Sequence, residues 1–494
     1  MTRDAIPLEL EIKLLVPAGM EAELEAHPAL AAPAETRQET TTYFDTEAGD
    51  LAQRGASLRI RRRGNRLTQT LKLRGAGGPF ARGEWEWPVE QEEPALDRLA
   101  ETPAAPWLGG LGPLRPAFTT EVRRSIRLLR RDGAVVEACL DRGEIRAGAA
   151  REEVRELELE LKEGPAAPLY RLAAELQAAF PLTLGAEAKS ERGWRLRLGT
   201  PRPAIEQPPL DLRPGTQVGE AFRQAVGASL SVLISALPAA GSGQPEGVHR
   251  LRIALRRLRA AIALFAPALD AAEAEAMTDG LRRIGRTLGE ARDWDVFLDE
   301  TLPAAAEELD DGGAPLSLRA AAEAARDAAR ARVTAEIASP AFGATILRLA
   351  AWAEAPGGEA AGRKVGDAAA AMQERLERRV RRRGRHLRRR GTEELHALRK
   401  AVKRLRYGME FLAPLHRPKQ VKAHRRAARA LQEGLGRLND AAMAVALARG
   451  LAEGRPELAS AVAALEGWAA ARERRVLKRL PGAWRDFKDV RLPR

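Results

Sequence analysis

Along residues 1–198, apolar and polar positions alternate with period two in short runs broken by Gly- and Pro-containing turns. Successive side chains leave a strand on opposite sides, so such runs predict strands with one apolar and one polar face. From Gly219 onward Ala, Leu and Arg dominate and apolar residues recur at helical spacing, which predicts a helical bundle. Residues 199–217 hold Pro201, Pro203, Pro208, Pro209 and Pro214, the composition of a stiff, exposed linker. The expected architecture is an α+β multidomain chain: strand-rich 1–198, linker 199–217, all-α 218–485.

The helical half repeats itself. Val248-His249-Arg250-Leu251-Arg252 through Arg259 matches Leu395-His396-Ala397-Leu398-Arg399 through Arg406, and His396 follows His249 by 147 residues. Leu288-Gly289-Glu290-Ala291-Arg292-Asp293 matches Leu435-Gly436-Arg437-Leu438-Asn439-Asp440 at the same 147-residue offset. Two blocks at one offset predict two related halves, about 219–355 and 363–480.

The strands carry unusual faces. Glu9, Glu11 and Lys13 alternate with Leu10, Ile12 and Leu14. Arg59, Arg61 and Arg63 share a face, as do Thr70, Lys72 and Arg74, then Arg82, Glu84 and Glu86. Glu137, Cys139 and Asp141 align, and Glu156, Glu158, Glu160 and Lys162 alternate with Leu157, Leu159 and Leu161. A flat sheet would show these faces to water, the ordinary reading of one charged strand. A closed barrel would turn them inward, where unpaired like charges repel and lose hydration. A polyanion with a divalent cation would reconcile them: Arg and Lys grip phosphate oxygens, and carboxylates hold Mg²⁺ or Mn²⁺.

Charge supports an anionic partner. Among 494 residues, Lys and Arg number 81 against 68 Asp and Glu, a net +13. This balance suits nucleic acid, polyphosphate or an anionic surface alike. The one cysteine, Cys139, excludes an internal disulfide and a thiolate zinc cluster. The start, Met1-Thr2-Arg3-Asp4, has no apolar signal core, and no stretch is expected to reach the ~18 apolar residues of a membrane span, so a cytoplasmic protein is expected.

The Glu-x-Glu-x-Lys strand at 9–13, Leu58-Arg59-Ile60-Arg61, Lys72, the Asp141-Arg142-Gly143-Glu144-Ile145 turn, Glu158-Leu159-Glu160-Leu161-Lys162 and Lys189-Ser190-Glu191-Arg192-Gly193-Trp194 occur in an order that resembles the CYTH superfamily, the triphosphate tunnel metalloenzymes. The resemblance implies an eight-stranded antiparallel β-tunnel that hydrolyses or cyclises triphosphates. It implies Glu9, Glu11, Glu158 and Glu160 as metal ligands. Glu9, Glu11, Lys72, Glu137 and Asp141 are implied as catalytic, the last two completing the acidic side. Phosphate binding falls to Lys13, Arg59, Arg61, Lys72, Arg124 and Lys189. Arg123 and Arg127 lie close to Arg124, and strand register decides which points inward.

On a helix, His249, Arg252, Arg256 and Arg259 fall within about 80° of one another, beside an apolar stripe of Leu251, Leu255, Leu258 and Ile262. His396, Arg399, Lys403 and Arg406 repeat this beside Leu398, Val402, Leu405 and Met409. A basic helix face is ordinarily solvated; its duplication with the histidine kept argues for a role. The pattern, with the Leu-Gly-x-x-(Arg/Asn)-Asp segments, resembles the CHAD domain over about 215–485, which implies binding of inorganic polyphosphate and an association with polyphosphate granules. Asp293 and Asp440 either orient these cations through ion pairs or serve as ordinary helix salt-bridge residues. The densest basic run, Arg375 to Arg390, contains Arg388 and no aromatic residue for base stacking, which disfavours specific nucleic-acid binding.

The expected function is metal-dependent hydrolysis of tripolyphosphate to pyrophosphate and phosphate, with the helices holding long-chain polyphosphate. The competing readings are a non-catalytic polyphosphate binder, a thiamine triphosphatase and an adenylate cyclase.

Overall fold

The computed structural model describes residues 8–74, 80–199, 205–309 and 314–490, apart from the side chains of Ala314 and Arg388. Met1-Thr2-Arg3-Asp4, Pro201, Pro203 and the Arg388 side chain therefore lie outside the described residues. Contacts gather into two units. One holds Met1–Pro208, Leu230–Ala239 and Ile337–Ala355; the other holds Pro209–Ser229, Ala240–Glu336 and Pro356–Arg494.

The alternating segments of the first unit form β1 (Leu8–Leu15), β2 (Glu35–Asp45), β3 (Ala56–Arg63), β4 (Arg66–Arg74), β5 (Ala81–Val89), β6 (Arg115–Arg131), β7 (Ala134–Ala147) and β8 (Ala150–Glu163). They pair in the order β5-β4-β3-β2-β6-β7-β8-β1, and β1 pairs again with β5, so the sheet closes into an eight-stranded antiparallel barrel. A two-residue strand, β9 (Thr183–Leu184), adds to the end of β1. The hairpin between β6 and β7 is the two-residue turn Asp132-Gly133, with φ of 46° and 77°. Positive φ at both positions matches the right-handed twist of the flanking strands.

The apolar faces point outward and are covered. The short helices α1 (Glu21–Glu25) and α2 (Asp50–Gln53) lie in the β1–β2 and β2–β3 connections. Helix α3 (Ala167–Ala179) buries Leu169, Leu172, Ala173 and Leu176 on the side of β1, β7 and β8, whose outward residues include Ile12, Leu14, Leu157 and Leu159. Elsewhere Leu58, Ile60 and Leu71 form a cluster with Phe44, Leu51 and Leu99, against which Trp85 and Trp87 pack. Each fully buried side chain of this size contributes about 1.5–3 kcal/mol. Helix α4 (Lys189–Leu198) follows, with Trp194 edge-on to Phe118 at 5.8 Å.

The segment Asp141–Ile145, expected as a turn, lies inside β7. Its glycine serves strand approach: a Cβ on Gly143 would overlap the Glu121 carbonyl of β6, its register neighbourhood across the pair.

Helices α5 (Val218–Gly241), α6 (Pro245–Phe265), α7 (Ala271–Val296), α8 (Leu302–Glu308), α9 (Arg319–Ile337), α10 (Pro340–Glu354), α11 (Val365–Arg383), α12 (Thr392–Phe411), α13 (Pro418–Ala452) and α14 (Ala459–Asp489) follow. Helix α10 falls in the first unit, where Gly343 packs against Gln177 of α3. In the second unit the expected apolar stripes of α6 and α12 are buried, from Leu251 to Ile262 and from Leu398 to Met409. These two helices pack on each other, so the repeated motifs meet. One expectation is corrected at α5: this helix is long and apolar enough to cross a membrane, with mean hydropathy 1.4, and 67% of that window is buried. Its serines do not interrupt the apolar run, because Ser229 and Ser235 donate to carbonyls of their own helix, Ala225 and Val232.

Gly143→Ala should lower thermal stability by about 1–3 kcal/mol, the usual cost of forcing extra volume into a packed site. Chemical denaturation monitored by circular dichroism reads it; unchanged stability would mean that the β6–β7 approach is not as close as described.

Candidate active site

The charged faces turn inward and line a cavity of about 210 Å³. Charge there is sorted by strand. The neighbouring strands β3, β2 and β6 bring Arg59, Arg61, Arg63, Arg37 and Arg124. The neighbouring strands β7, β8 and β1 bring Glu137, Glu158, Glu160, Glu9 and Glu11. Strands β4 and β5 complete the ring with Lys72, Arg82, Glu84 and Glu86, and Lys189 and Ser190 of α4 reach the lumen.

The basic wall contains one acid, Glu39. Its side chain meets Arg37 Nε at 2.8 Å, Arg63 Nε at 2.7 Å, and Arg61 Nε and Arg124 Nε at 3.8 Å each. Burial pushes this carboxyl up, but Arg61, Arg124, Arg63 and Arg37 outweigh burial and hold it below the usual range. Burial and the crowding of Arg59 and Arg124 bring Arg61 down to about 10. Arg59 lies 3.5 Å from Glu84, and Lys72 pairs with Glu9 and lies 3.3 Å from Glu84.

The acidic wall divides into two parts. Asp141, Glu156 and Glu158 converge closely enough to hold an ion. Cations of the chain already occupy that position. Lys189 Nζ lies 2.6 Å from Asp141 and 2.9 Å from Glu158 and also bonds Glu156. Arg124 grips Asp141 with two bonds of 2.7 and 2.6 Å and reaches Glu158 at 2.6 Å. Burial raises the Glu158 carboxyl, yet Lys13, Lys189 and Arg124 drive it well below the ordinary value. The second part is a row: Glu11 stands opposite Glu160, and Glu160 opposite Glu137. Like charges directly opposite on a sheet destabilise it. Burial, then repulsion from Glu9, raises Glu160 to about 7, with Lys162 at 2.6 Å only partly offsetting them.

The structure thus brings Glu9, Glu11, Lys13, Arg59, Arg61, Lys72, Arg124, Glu137, Glu158, Glu160 and Lys189 to one lumen. Asp141 stands behind them, fully buried beneath Arg124 and Lys189. Register settles the arginine alternative: Arg124 points inward and Arg123 is exposed. Sequence reading missed β2 altogether, although Arg37, Glu39, Thr41 and Tyr43 all line the cavity.

In the second unit the eight repeated residues do not form one face. Arg256, Arg399, Lys403 and Arg406 line a cavity of about 320 Å³. Arg252 and Arg399 sit at 3.5 Å from Asp293 and Asp440 respectively, equivalent pairs in the two copies, so both aspartates do hold cations. Burial, then Arg399, Arg256 and Arg252, brings Lys403 down to about 7. Arg259 instead crowds Arg404, which burial, Arg379, Arg259, Arg282 and Arg383 bring down to about 10. His249 is half-buried near Arg292, and His396 pairs with Asn439. Part of the Arg375–Arg390 run serves the fold: Arg375 donates to the Ala263 and Leu264 carbonyls at 2.7 Å, and Arg381 to that of Lys488 at 3.1 Å.

Residues 7–194 match the CYTH domain family and residues 224–449 the CHAD domain family. An inorganic triphosphatase of Haemophilus influenzae is 30% identical over 165 residues, 31% of this chain and 45% of that protein. An uncharacterised protein of Mycobacterium tuberculosis is 28% identical over 296 residues, 56% of this chain and 55% of that protein. The chain spans about half the length of these curated relatives. The crystal structure of the CHAD domain from the plant Ricinus communis matches 59% of this chain and 99% of that chain, at 29% identity and a TM-score of 0.53.

The raised Glu160 carboxyl has a stability consequence. Between the ordinary carboxyl value of 4.5 and about 7 the folded chain holds a proton that the unfolded chain has lost, so stability falls as pH rises through that window. Without divalent metal, Glu160→Gln should melt above the parent chain at pH 8, and the difference should vanish near pH 4.5. Equal melting at pH 8 would contradict the repulsion.

Proposed function

Taking the chain as a CYTH domain over residues 7–194 followed by a CHAD domain over residues 224–449, we propose that it hydrolyses inorganic tripolyphosphate to pyrophosphate and phosphate with Mg²⁺ or Mn²⁺, and that its helices bind long-chain polyphosphate. One observation carries the first part: an arginine wall faces a carboxylate wall across a cavity of about 210 Å³. A phosphate chain with a divalent ion on one flank satisfies both. The Haemophilus influenzae relative named as an inorganic triphosphatase supports the same chemistry.

The two carboxylate groups differ in fitness for an ion. Mg²⁺ and Mn²⁺ take hard oxygen ligands and keep some waters. The Glu11–Glu160–Glu137 row with Glu9 beside it fits better: burial and then Glu9 raise Glu160, and each acid has one lysine partner, Lys13 for Glu11 at 2.6 Å, Lys162 for Glu160 and Glu137, and Lys72 for Glu9. The Asp141–Glu156–Glu158 trio does not fit, since Lys189 fills it. Glu158, expected as a metal ligand, belongs to the trio whose oxygens lie close enough together for an ion, and it reaches one only if Lys189 gives way; as it stands it holds Lys13, Arg124 and Lys189. An ion held by Glu9, Glu11 and Glu160 would neutralise phosphate oxygens and acidify a water.

The chain's own residues do the rest. Arg59, Arg61, Arg63 and Arg124 present planar donor groups to phosphate oxygens. Lys13 stays protonated, because Glu11 and Glu158 outweigh the effect of burial. A water oxygen attacks the terminal phosphorus, the bridging P–O bond breaks, and pyrophosphate leaves with the bonding pair. Glu137, 3.5 Å from Lys162, takes the water proton; Asp141 is too fully engaged by Arg124 to do so. The ring of Tyr43, which lines the lumen, stacks on Phe118 at 4.7 Å and offers no free platform for a base. That favours an inorganic chain over a nucleotide.

Phosphate release should be greatest from tripolyphosphate when compared with ATP and thiamine triphosphate, and chelation should abolish it. Glu11→Gln should lower kcat by about 10²–10³ while circular dichroism shows the chain still folded. No metal-dependent release from any of the three overturns the enzymatic reading and leaves a binding protein; cyclic product from ATP would make it a cyclase.

For the helices, Arg256→Glu with Lys403→Glu in the full chain should weaken polyphosphate binding. It should also flatten its salt dependence by roughly 0.7–0.9 per lost phosphate contact. Unchanged affinity, or equal affinity for DNA and heparin, counts against the assignment.

A further inference from the structure

We propose that Glu39 is a positioning residue that gathers the basic wall before substrate arrives. The inference rests on the tripolyphosphate reading and specifies how its arginines are held.

Four guanidiniums turn Nε toward this one carboxylate: Arg37 and Arg63 touch it, and Arg61 and Arg124 lie 3.8 Å away, the Arg124 Nε hydrogen bond itself going to Asp141. The Arg37 contact is a hydrogen bond of 2.8 Å, whereas Arg63 at 2.7 Å is an ion pair whose Nε lacks hydrogen-bond alignment. A guanidinium has five N–H donors in a rigid fork. Turning the Nε edge toward Glu39 leaves the outer nitrogens of Arg61 and Arg63 for phosphate oxygens, while Arg37 also reaches Glu35 through Nη1 at 3.4 Å. Exposure gives the same order. The Glu39 side chain is 2% exposed, against 10% for Arg61, 12% for Arg124, 29% for Arg37 and 34% for Arg63. The acid stands behind its cations, away from an entering anion.

Strand register explains how one residue serves four. Thr40 pairs with Arg62, which puts Glu39 beside Arg63, while Arg37 pairs with Arg124 on the other neighbouring strand. β2 lies between the two arginine-bearing strands, so an acid there reaches both. Without it the guanidiniums repel one another with nothing between them, since β3, β2 and β6 bring them to one side of the lumen. They would then have to be reassembled by the substrate, at the expense of affinity.

This role is separable from simple electrostatics by sign. A carboxylate that merely repels an anion should, when neutralised, tighten binding. A positioning carboxylate should, when neutralised, weaken it. Glu39→Gln keeps the shape and removes the charge. In the full chain, tripolyphosphate binding is measured by calorimetry in chelator, and kcat and KM with Mg²⁺. The expected result is a Kd and KM raised at least about tenfold, with kcat changed less. Glu39→Asp keeps the charge but shortens the reach, and should fall between the parent and the Gln variant. Should the Gln variant fail to fold, the Asp variant decides alone, since a purely electrostatic role predicts parental affinity for it. Equal or tighter binding by Glu39→Gln, or parental affinity in Glu39→Asp, overturns the assignment while the parent chain still binds and hydrolyses tripolyphosphate. Failure of the parent chain to bind tripolyphosphate overturns the tunnel reading itself, and this assignment with it.

Discussion

Attraction between opposite charges across a closed sheet governs the first unit. Arginines come from β3, β2 and β6 and carboxylates from β7, β8 and β1, each set on strands that are neighbours around the barrel. Buried charges are costly unless paired and hydrogen-bonded. The apolar surface that would normally fill a barrel of this size is instead spent outside, under α3 and around Leu58, Ile60 and Leu71. The lumen is left to ionic groups, and its integrity depends on their neutralising one another.

That neutralisation is uneven. Asp141, Glu156 and Glu158 are saturated by Lys189 and Arg124 and belong to the frame. Glu11, Glu160 and Glu137 face one another with less cationic support. The helical unit repeats the principle with signs exchanged: Asp293 and Asp440 hold Arg252 and Arg399, while Lys403 stays crowded by cations. In both units a few fully paired groups hold others in an unsatisfied state.

Much of this was legible in the sequence. Glu9, Glu11 and Lys13 alternate with Leu10, Ile12 and Leu14, so both the strand and its faces could be read, and the 147-residue repeat gave the paired helices. β2 was silent because Gln38, Thr40 and Thr42 are as polar as Arg37, Glu39 and Thr41; without contrast there is no face to read. Arg123, Arg124 and Arg127 could be told apart only by register, which a partner strand sets. Gly143 looked like a turn residue because the sequence does not show the carbonyl of a neighbouring strand. Glu158 and Glu160 read alike in the sequence, since the same alternation serves both, and only the structure shows that Lys189, far along the chain, pairs with Glu158 and not with Glu160.

The tight hairpin at Asp132-Gly133 joins the last strand of the arginine wall to the first of the carboxylate wall. A single inserted residue that slipped this pairing would exchange inward and outward side chains along the strand. Leu140 and Ala138 would then replace Asp141 and Cys139 on the lumen side, and acids would be driven against the apolar coat. Length variation is therefore tolerable in the exposed residues 90–93 that leave β5, ahead of the buried Leu99, and intolerable at this corner. Among diverging copies of such a chain, insertions should accumulate in the former while the two-residue corner keeps its length.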